Sequence, residues 1–137
     1  MSEVYDAAAL RHYRDGELLR DSLRIANADQ LYGFAAECAI KRALVSLPGC
    51  ANSGILASKY REHVERLWDL AQVQGIQKRY PKLMTVLKNL RHPFADWSAN
   101  QRYERDDVVT EDALRRHHRA AARVLGSVGL SGTRGEA

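Results

Sequence analysis

Apolar residues recur three and four positions apart along most of this chain, and this spacing constrains the fold more than any other feature. The seam of the first helix shows it: Tyr5, Ala9, His12, Gly16, Leu19 and Leu23. Residues with this spacing share one face of a helix, so the pattern indicates amphipathic helices. No segment alternates polar and apolar residues for long enough to propose a strand. The sequence therefore predicts an all-α fold of about five helices in an antiparallel bundle.

Capping and stopping signals set the expected helix boundaries. The expected first residues or N-caps are Asn27 for the second helix, Pro81 for the fourth and Thr110 for the last. A third helix would carry the apolar residues between Leu56 and Ala71 on one side and end near Gly75. Residues 48–55 are rich in Pro, Gly, Asn and Ser and predict a loop. Residues 93–109 lack periodicity and are expected to form an ordered connection.

Length and composition indicate one domain, with residues 1–128 as the bundle and 129–137 as a flexible polar tail. The two cysteines, Cys38 and Cys50, build neither a disulfide framework nor a zinc site, which favours the cytoplasm. No apolar run is long enough for a membrane helix, and the N-terminus lacks a signal-peptide core. No histidine follows a glutamate by three residues, so we expect no di-metal site and no cofactor.

Two segments resemble the HEPN superfamily, whose members are small helical proteins. The helix-two segment is Asn27-Ala28-Asp29-Gln30-Leu31-Tyr32-Gly33-Phe34-Ala35-Ala36-Glu37-Cys38-Ala39-Ile40-Lys41, and the second is Leu90-Arg91-His92-Pro93-Phe94-Ala95-Asp96-Trp97. The resemblance spans roughly residues 5–128. It implies a helical bundle, a homodimer, and a role in a bacterial toxin–antitoxin or defence system, where a nucleotidyltransferase-type or other defence protein is the partner.

The resemblance also implies a catalytic motif in which one residue, the completing histidine, is replaced. Nuclease members carry an arginine, a polar neighbour and a completing histidine four to six residues on, and cleave RNA without a metal. Here Arg91 and His92 fit, but the places for the histidine hold Asp96, Trp97 and Ser98. A carboxylate at position 96 would repel a phosphate, whereas an imidazole would titrate near neutral pH. The main expectation is therefore a non-catalytic binding or partner protein, possible ligands being RNA or a nucleotide.

Two alternatives stay open at this point. One is a metal-independent ribonuclease that uses Arg91, His92 and Asp96 as a modified motif. The other is an adaptor that binds only proteins. Arg91 has a structural interpretation as well, in which it closes the fourth helix and pairs with Asp96. Glu37 has two interpretations, an ordinary pair with Lys41 on a partly exposed edge or a partly buried carboxylate that orients a basic group such as Arg91.

Basic residues near the C-terminus are the candidate nucleic-acid contacts. Arg115, Arg116, Arg119 and Arg123 fall within about a quarter of the circumference of the last helix. Such a stripe either tracks phosphates or is a solvated face. Arg102 and Tyr103, with Trp97, either contact unpaired bases or cover the end of the bundle. The net charge of +4 agrees weakly with an anionic partner. His117 projects among apolar residues and is expected in the core.

Overall fold

The computed structural model describes residues 4–103 and 105–130, without the side chains of Arg102, Tyr103 and Asp106. The described part is an all-α bundle, as predicted. Its helices are α1 (Tyr5–Asp21), α2 (Ile25–Val45), α3 (Val64–Leu70), α4 (Gln74–Arg79), α5 (Pro81–Asn89) and α6 (Glu111–Ser127). A small antiparallel hairpin joins β1 (Ala51–Asn52) to β2 (Ile55–Leu56). Most of the expected tail, residues 131–137, lies outside the described residues.

Helix α2 is the centre of the bundle, with α1 along one side and α6 along another. Its fully buried alanines leave little side chain between the helix axes: Ala28, Ala35, Ala36, Ala39 and Ala43. Helices with such small residues approach closely, so neighbouring ridges interlock. Because the helices are this close, polar side chains near the N-terminal end of α2, such as Asp29, lie beside α6 and beside the connection that leads into α6.

The junction between α1 and α2 differs from the prediction. Asn27 is not the N-cap, because α2 already begins at Ile25. Leu23 adopts a left-handed conformation with φ 62°, and the Arg24 N–H donates to the Leu19 carbonyl at 2.7 Å. This bond closes α1 in the manner of a Schellman turn and lets α2 start at once. Leu23 therefore leaves the apolar seam and is 81% exposed.

The expected third helix is also broken into shorter pieces. A 3₁₀ turn at Ser58–Tyr60 precedes α3, and extended residues at His63 and Val73 begin α3 and α4. The apolar residues of the pattern are nonetheless buried: Leu56, Tyr60, Val64, Leu67 and Ala71. The spacing thus identified the buried side correctly but not the continuity of the backbone.

The other expected helix starts are confirmed. Pro81 occupies the first turn of α5, where its missing N–H would have no helical acceptor. Thr110 caps α6, and its Oγ1 accepts a hydrogen bond from the Ala113 N–H at 3.1 Å. Glu111 and Asp112 then lie at the positive end of the α6 dipole. No helix in the described part of the chain has the length and apolar character needed to cross a membrane.

Substituting Gly33 by alanine is expected to destabilise the protein, although alanine normally favours a helix over glycine. A Cβ at this position would lie 2.0 Å from Cε2 of Trp97, which is buried against α2. Overpacking of this kind costs about 1–3 kcal/mol or more. Gly126→Ala is the matched control, because nothing lies within 4 Å of its added Cβ. We expect that variant to gain roughly 0.5–1 kcal/mol. Urea unfolding of both variants measures the difference, and a stabilised Gly33→Ala would contradict the packing described here.

Candidate functional site

The connection from Leu90 to Thr110 lies across α2 and α6, and two aromatic residues hold it there. Trp97 is 2% exposed, and its indole N–H donates to the Asp29 carbonyl at 3.1 Å. Phe94 is fully buried and stacks on His117, with ring centroids 5.0 Å apart. Of the two interpretations of Trp97, packing is correct, since its ring is not accessible to a base. The side chains of Arg102 and Tyr103 lie outside the described part, so their predicted role stays a prediction.

His117 lies between two carboxylates in the interior. Its Nδ1 is 2.6 Å from Oδ1 of Asp29, and its Nε2 is 2.8 Å from Oδ1 of Asp96. The side chains of Asp29 and His117 are almost completely buried, whereas that of Asp96 is half exposed. The network therefore reaches from the core to the surface and ties α2, α6 and the connection together.

Hydrogen bonding joins the three side chains of this network. Carboxylate oxygens accept, so each ring nitrogen of His117 faces an acceptor, Asp29 on one side and Asp96 on the other. Gln101 adds a hydrogen bond to Oδ2 of Asp29 at 2.8 Å, which leaves both oxygens of this buried carboxylate with a donor.

Asp96 is stabilised as an anion. Burial acts to raise its pKa, but the hydrogen bonds from His117 and Arg116 outweigh burial, and the pKa of Asp96 lies below its ordinary value. Arg116 approaches both Oδ atoms of Asp96 at 2.9 Å and also donates to the Pro93 carbonyl at 3.2 Å. The predicted pairing of Asp96 with Arg91 is therefore wrong. Arg116 is the partner because α6 carries it across the connection.

A cavity of about 380 Å³ opens above this network, and we call it the carboxylate cavity. Its lining residues are Asp29, Asp96, Ser98, Gln101, Val108, Val109, Thr110, Ala113 and His117. Polar groups form its floor and valines form part of its wall. A concave space with few polar groups converging on it is the usual form of a small-ligand site.

A second concavity, the arginine groove, lies on the neighbouring surface and has a volume of about 400 Å³. Four arginines and one carboxylate line it, with three apolar residues: Arg91, Arg115, Arg116, Arg119, Asp112, Leu90, Pro93 and Ala120. Arg115 pairs with Asp112, and Arg116 pairs with Asp96. Within the described residues, Arg91 and Arg119 form no salt bridge. The groove therefore has a surplus of positive charge.

The three residues of the modified motif have separate surroundings. Arg91 is exposed in the arginine groove, whereas Asp96 lines the carboxylate cavity. His92 stacks on Trp68 with ring centroids 5.9 Å apart, and its Nε2 donates to the Glu65 carbonyl at 2.5 Å. The structure instead brings Arg91 together with Arg115 and Arg119, two of the predicted nucleic-acid contacts.

The sequence interpretation missed the pairing of His117 with Asp29. His117 was expected to be a core histidine, and it is buried, but its two carboxylate partners were not foreseen. Residues 29 and 117 are far apart in sequence and belong to no linear motif. The available signal was that each is a polar residue on the buried face of a helix, and such residues need partners.

A separate polar cluster surrounds Glu37 on α2. Its Oε2 accepts from Lys41 at 2.9 Å, and its Oε1 is 3.1 Å from Nδ1 of His63. The simpler prediction, a Glu37–Lys41 pair four residues apart, is confirmed as a pair, but its expected place on a partly exposed edge is wrong, because the side chain of Glu37 is only 8% exposed. The alternative, in which Glu37 orients Arg91, is wrong, because both oxygens have other partners.

His118 makes the stability of the protein depend on pH. Burial lowers the pKa of His118 below its ordinary value of 6.5, and Arg20 and Arg119 add to this while Glu17 opposes it. Below pH 6.5 the unfolded chain therefore takes up a proton more readily than the folded protein, and stability falls with pH. His118→Asn has no group at this position that takes up a proton. The difference in unfolding free energy by which the variant is less stable than the original protein should therefore shrink as the pH falls from 7 to 5. Urea unfolding at both values measures this, and a disadvantage that grows would contradict the burial effect.

No group of three or more His, Cys, Asp or Glu side chains within residues 4–103 and 105–130 has an arrangement suited to a metal ion. In the His117 network both ring nitrogens already face carboxylates. Comparison of the chain with family models, with curated proteins and with solved structures found no match to any of them.

Proposed function

We propose that this protein is a HEPN-like, non-catalytic binding protein that holds single-stranded RNA by its phosphates in the arginine groove. The observation that carries the proposal is the pair of exposed arginines, Arg91 and Arg119, which line one groove with Arg115 and Arg116 and have no carboxylate partner in the described part. Guanidinium groups match the geometry of phosphate oxygens and stay charged at every physiological pH.

The four arginines of the groove come from two parts of the chain that the fold brings together. Arg91 follows the end of α5, whereas the other three lie on two successive turns of α6. Asp112 forms an ion pair with Arg115 within the groove, and Asp96 forms one with Arg116 from the side of the carboxylate cavity. Exposed pairs of this type contribute little to stability, so a phosphate can replace the carboxylate at small cost.

The same geometry favours binding over cleavage. A general base must reach the ribose 2′-hydroxyl in its unprotonated form and hold a proton afterwards. Asp96 is a weak base, because His117 and Arg116 lower its pKa. His92 is stacked on Trp68 and directs Nε2 to a backbone carbonyl. Neither group is free to shuttle a proton at a phosphate held by Arg91.

The biological setting follows from the resemblance alone. We propose a cytoplasmic protein of a bacterial toxin–antitoxin or defence system, acting as a homodimer with a nucleotidyltransferase-type or other defence protein as partner. The free thiols Cys38 and Cys50 agree with a reducing compartment. Two copies of the groove in one dimer would raise the affinity for a long RNA through effective concentration.

One experiment separates this function from its alternatives. Purified protein is incubated with a fluorescein-labelled, twelve-nucleotide single-stranded RNA of mixed sequence at 50 mM salt, and binding is followed by anisotropy and integrity by gel. We expect saturable binding and intact RNA. Cleavage that disappears in Arg91→Ala would replace this proposal with the ribonuclease. The absence of binding would favour the protein adaptor.

A further inference from the structure

The carboxylate cavity and the arginine groove meet at one ion pair. Asp96 lines the cavity and Arg116 lines the groove, and their side chains are joined at 2.9 Å. Both side chains are about half exposed, so the pair forms the partition between the two openings. A single ligand can therefore lie across the partition with an anionic part on one side and a hydrogen-bonding part on the other.

We infer that the carboxylate cavity is a base-recognition site for the RNA whose phosphates lie in the arginine groove, and that it favours guanine. This inference rests on the proposed function, because the groove must hold the backbone for a base to reach the cavity. A nucleotide has both required parts, since its phosphate is anionic and the edge of its base carries donors and acceptors. The cavity would thus add sequence preference to a sequence-independent backbone contact.

The polar groups of the cavity match the edge of guanine. Asp96 is half exposed, and when a phosphate takes over Arg116, the acceptor position that this arginine occupied on each Asp96 oxygen becomes free. Guanine presents two adjacent donors, N1–H and the N2 amino group, which suit one carboxylate. Its O6 then requires a donor, and the hydroxyls of Ser98 and Thr110 can supply one. Each of those hydroxyl oxygens accepts from a backbone N–H, which leaves its own hydrogen available.

The floor of the cavity is held rigid beneath Asp96. His117 and Asp29 are buried, hydrogen-bonded and braced by Gln101. A carboxylate fixed in this way loses little conformational entropy when a base binds, which strengthens recognition. The pairing with His117 also keeps Asp96 ionised, so it remains an acceptor.

The walls of the cavity suit the flat faces of a base. Val108, Val109 and Ala113 contribute apolar surface beside the polar floor. Val108 is 49% exposed, so its side chain is accessible to a ligand. The volume of about 380 Å³ also falls in the range of sites for small organic ligands.

Alternative bases fit less well. Uracil presents one N–H between two carbonyl oxygens, and these would face the carboxylate. Adenine and cytosine each present one amino group, which gives a single contact with Asp96. Inosine is the most informative probe, because it keeps N1–H and O6 and lacks only the N2 amino group.

The test compares labelled pentanucleotides by anisotropy: uridine oligomers with one central guanosine, inosine or uridine. We expect the guanosine RNA to bind at least about fivefold more tightly than the uridine RNA, with inosine between them. Asp96→Asn should bind the guanosine and uridine RNAs with equal affinity, whereas Asp107→Asn, on the exposed connection, should keep the preference.

The outcomes distinguish the two levels of the proposal. Equal binding of all three RNAs by the original protein would overturn the base-recognition site while leaving the backbone contact in place. No binding of any RNA would overturn the proposed function itself. The inosine comparison changes only the ligand, so it remains decisive even where the Asp96→Asn variant does not fold.

Discussion

Reversing the charge of Arg91 and Arg119 is expected to weaken the binding of single-stranded RNA by about a hundredfold or more at 50 mM salt, since two phosphate contacts are replaced by repulsion. These two side chains are exposed and form no salt bridge in the described part, so their replacement disturbs no internal pair. Folding should therefore be retained in Arg91→Glu/Arg119→Glu. Anisotropy with the twelve-nucleotide RNA measures the affinity, and circular dichroism checks the helices.

Arg123→Glu/Arg79→Glu is the matched control for charge. Both residues are exposed, and neither lines the groove. This variant changes the net charge by the same amount, so a general electrostatic effect would weaken binding equally. We expect a loss of less than about tenfold, which reflects only the long-range field. Equal losses in the two double variants would show that the groove has no special role.

Removing the carboxylate of Asp29 is expected to have the largest effect on stability. Asp29→Ala leaves the His117 imidazole buried with no partner at Nδ1, in a site where the original distance is 2.6 Å. Removing one partner of a buried hydrogen bond costs up to about 3 kcal/mol, and more where the remaining group is charged, because that group stays desolvated and unpaired. Gln101 also loses its acceptor. Urea unfolding followed by tryptophan fluorescence measures the loss.

The control for this effect is Asp112→Ala, which removes a carboxylate from an exposed pair with Arg115. Exposed pairs contribute less than about 1 kcal/mol, so the protein should unfold at nearly the original urea concentration. If Asp29→Ala were as stable as Asp112→Ala, the His117 network would not hold α2 to α6. His117→Phe offers a further check, since it keeps the stacking on Phe94 while removing the partner of Oδ1 of Asp29.

The fold could be predicted from the sequence where local chemistry decides the structure. The N-cap at Thr110 and the proline at position 81 act through their own backbone, and both appear as expected. The apolar spacing also identified the buried side of the chain between Leu56 and Ala71. The break at Leu23 was missed because leucine rarely adopts the left-handed conformation, and no local pattern indicates that it does so here.

The site could be predicted only in part, for a physical reason. The arginines of α6 share a face because of helix geometry, so three of the four groove arginines were visible as a stripe. Their meeting with Arg91 depends on how α5 ends beside α6, which no local pattern encodes. The partner of Asp96 was sought among its sequence neighbours, but the tertiary fold supplied Arg116 and His117 instead.

The central claim is that phosphates bind in the arginine groove, and the salt dependence of RNA affinity tests it most directly. The logarithm of the association constant for the twelve-nucleotide RNA is plotted against the logarithm of salt concentration for the original protein and for Arg91→Ala/Arg119→Ala. Loss of two phosphate contacts should make the slope shallower by about 1.4, since each contact on a single strand contributes roughly 0.7. Equal slopes for the two proteins would contradict the account, because they would mean that neither arginine contacts a phosphate.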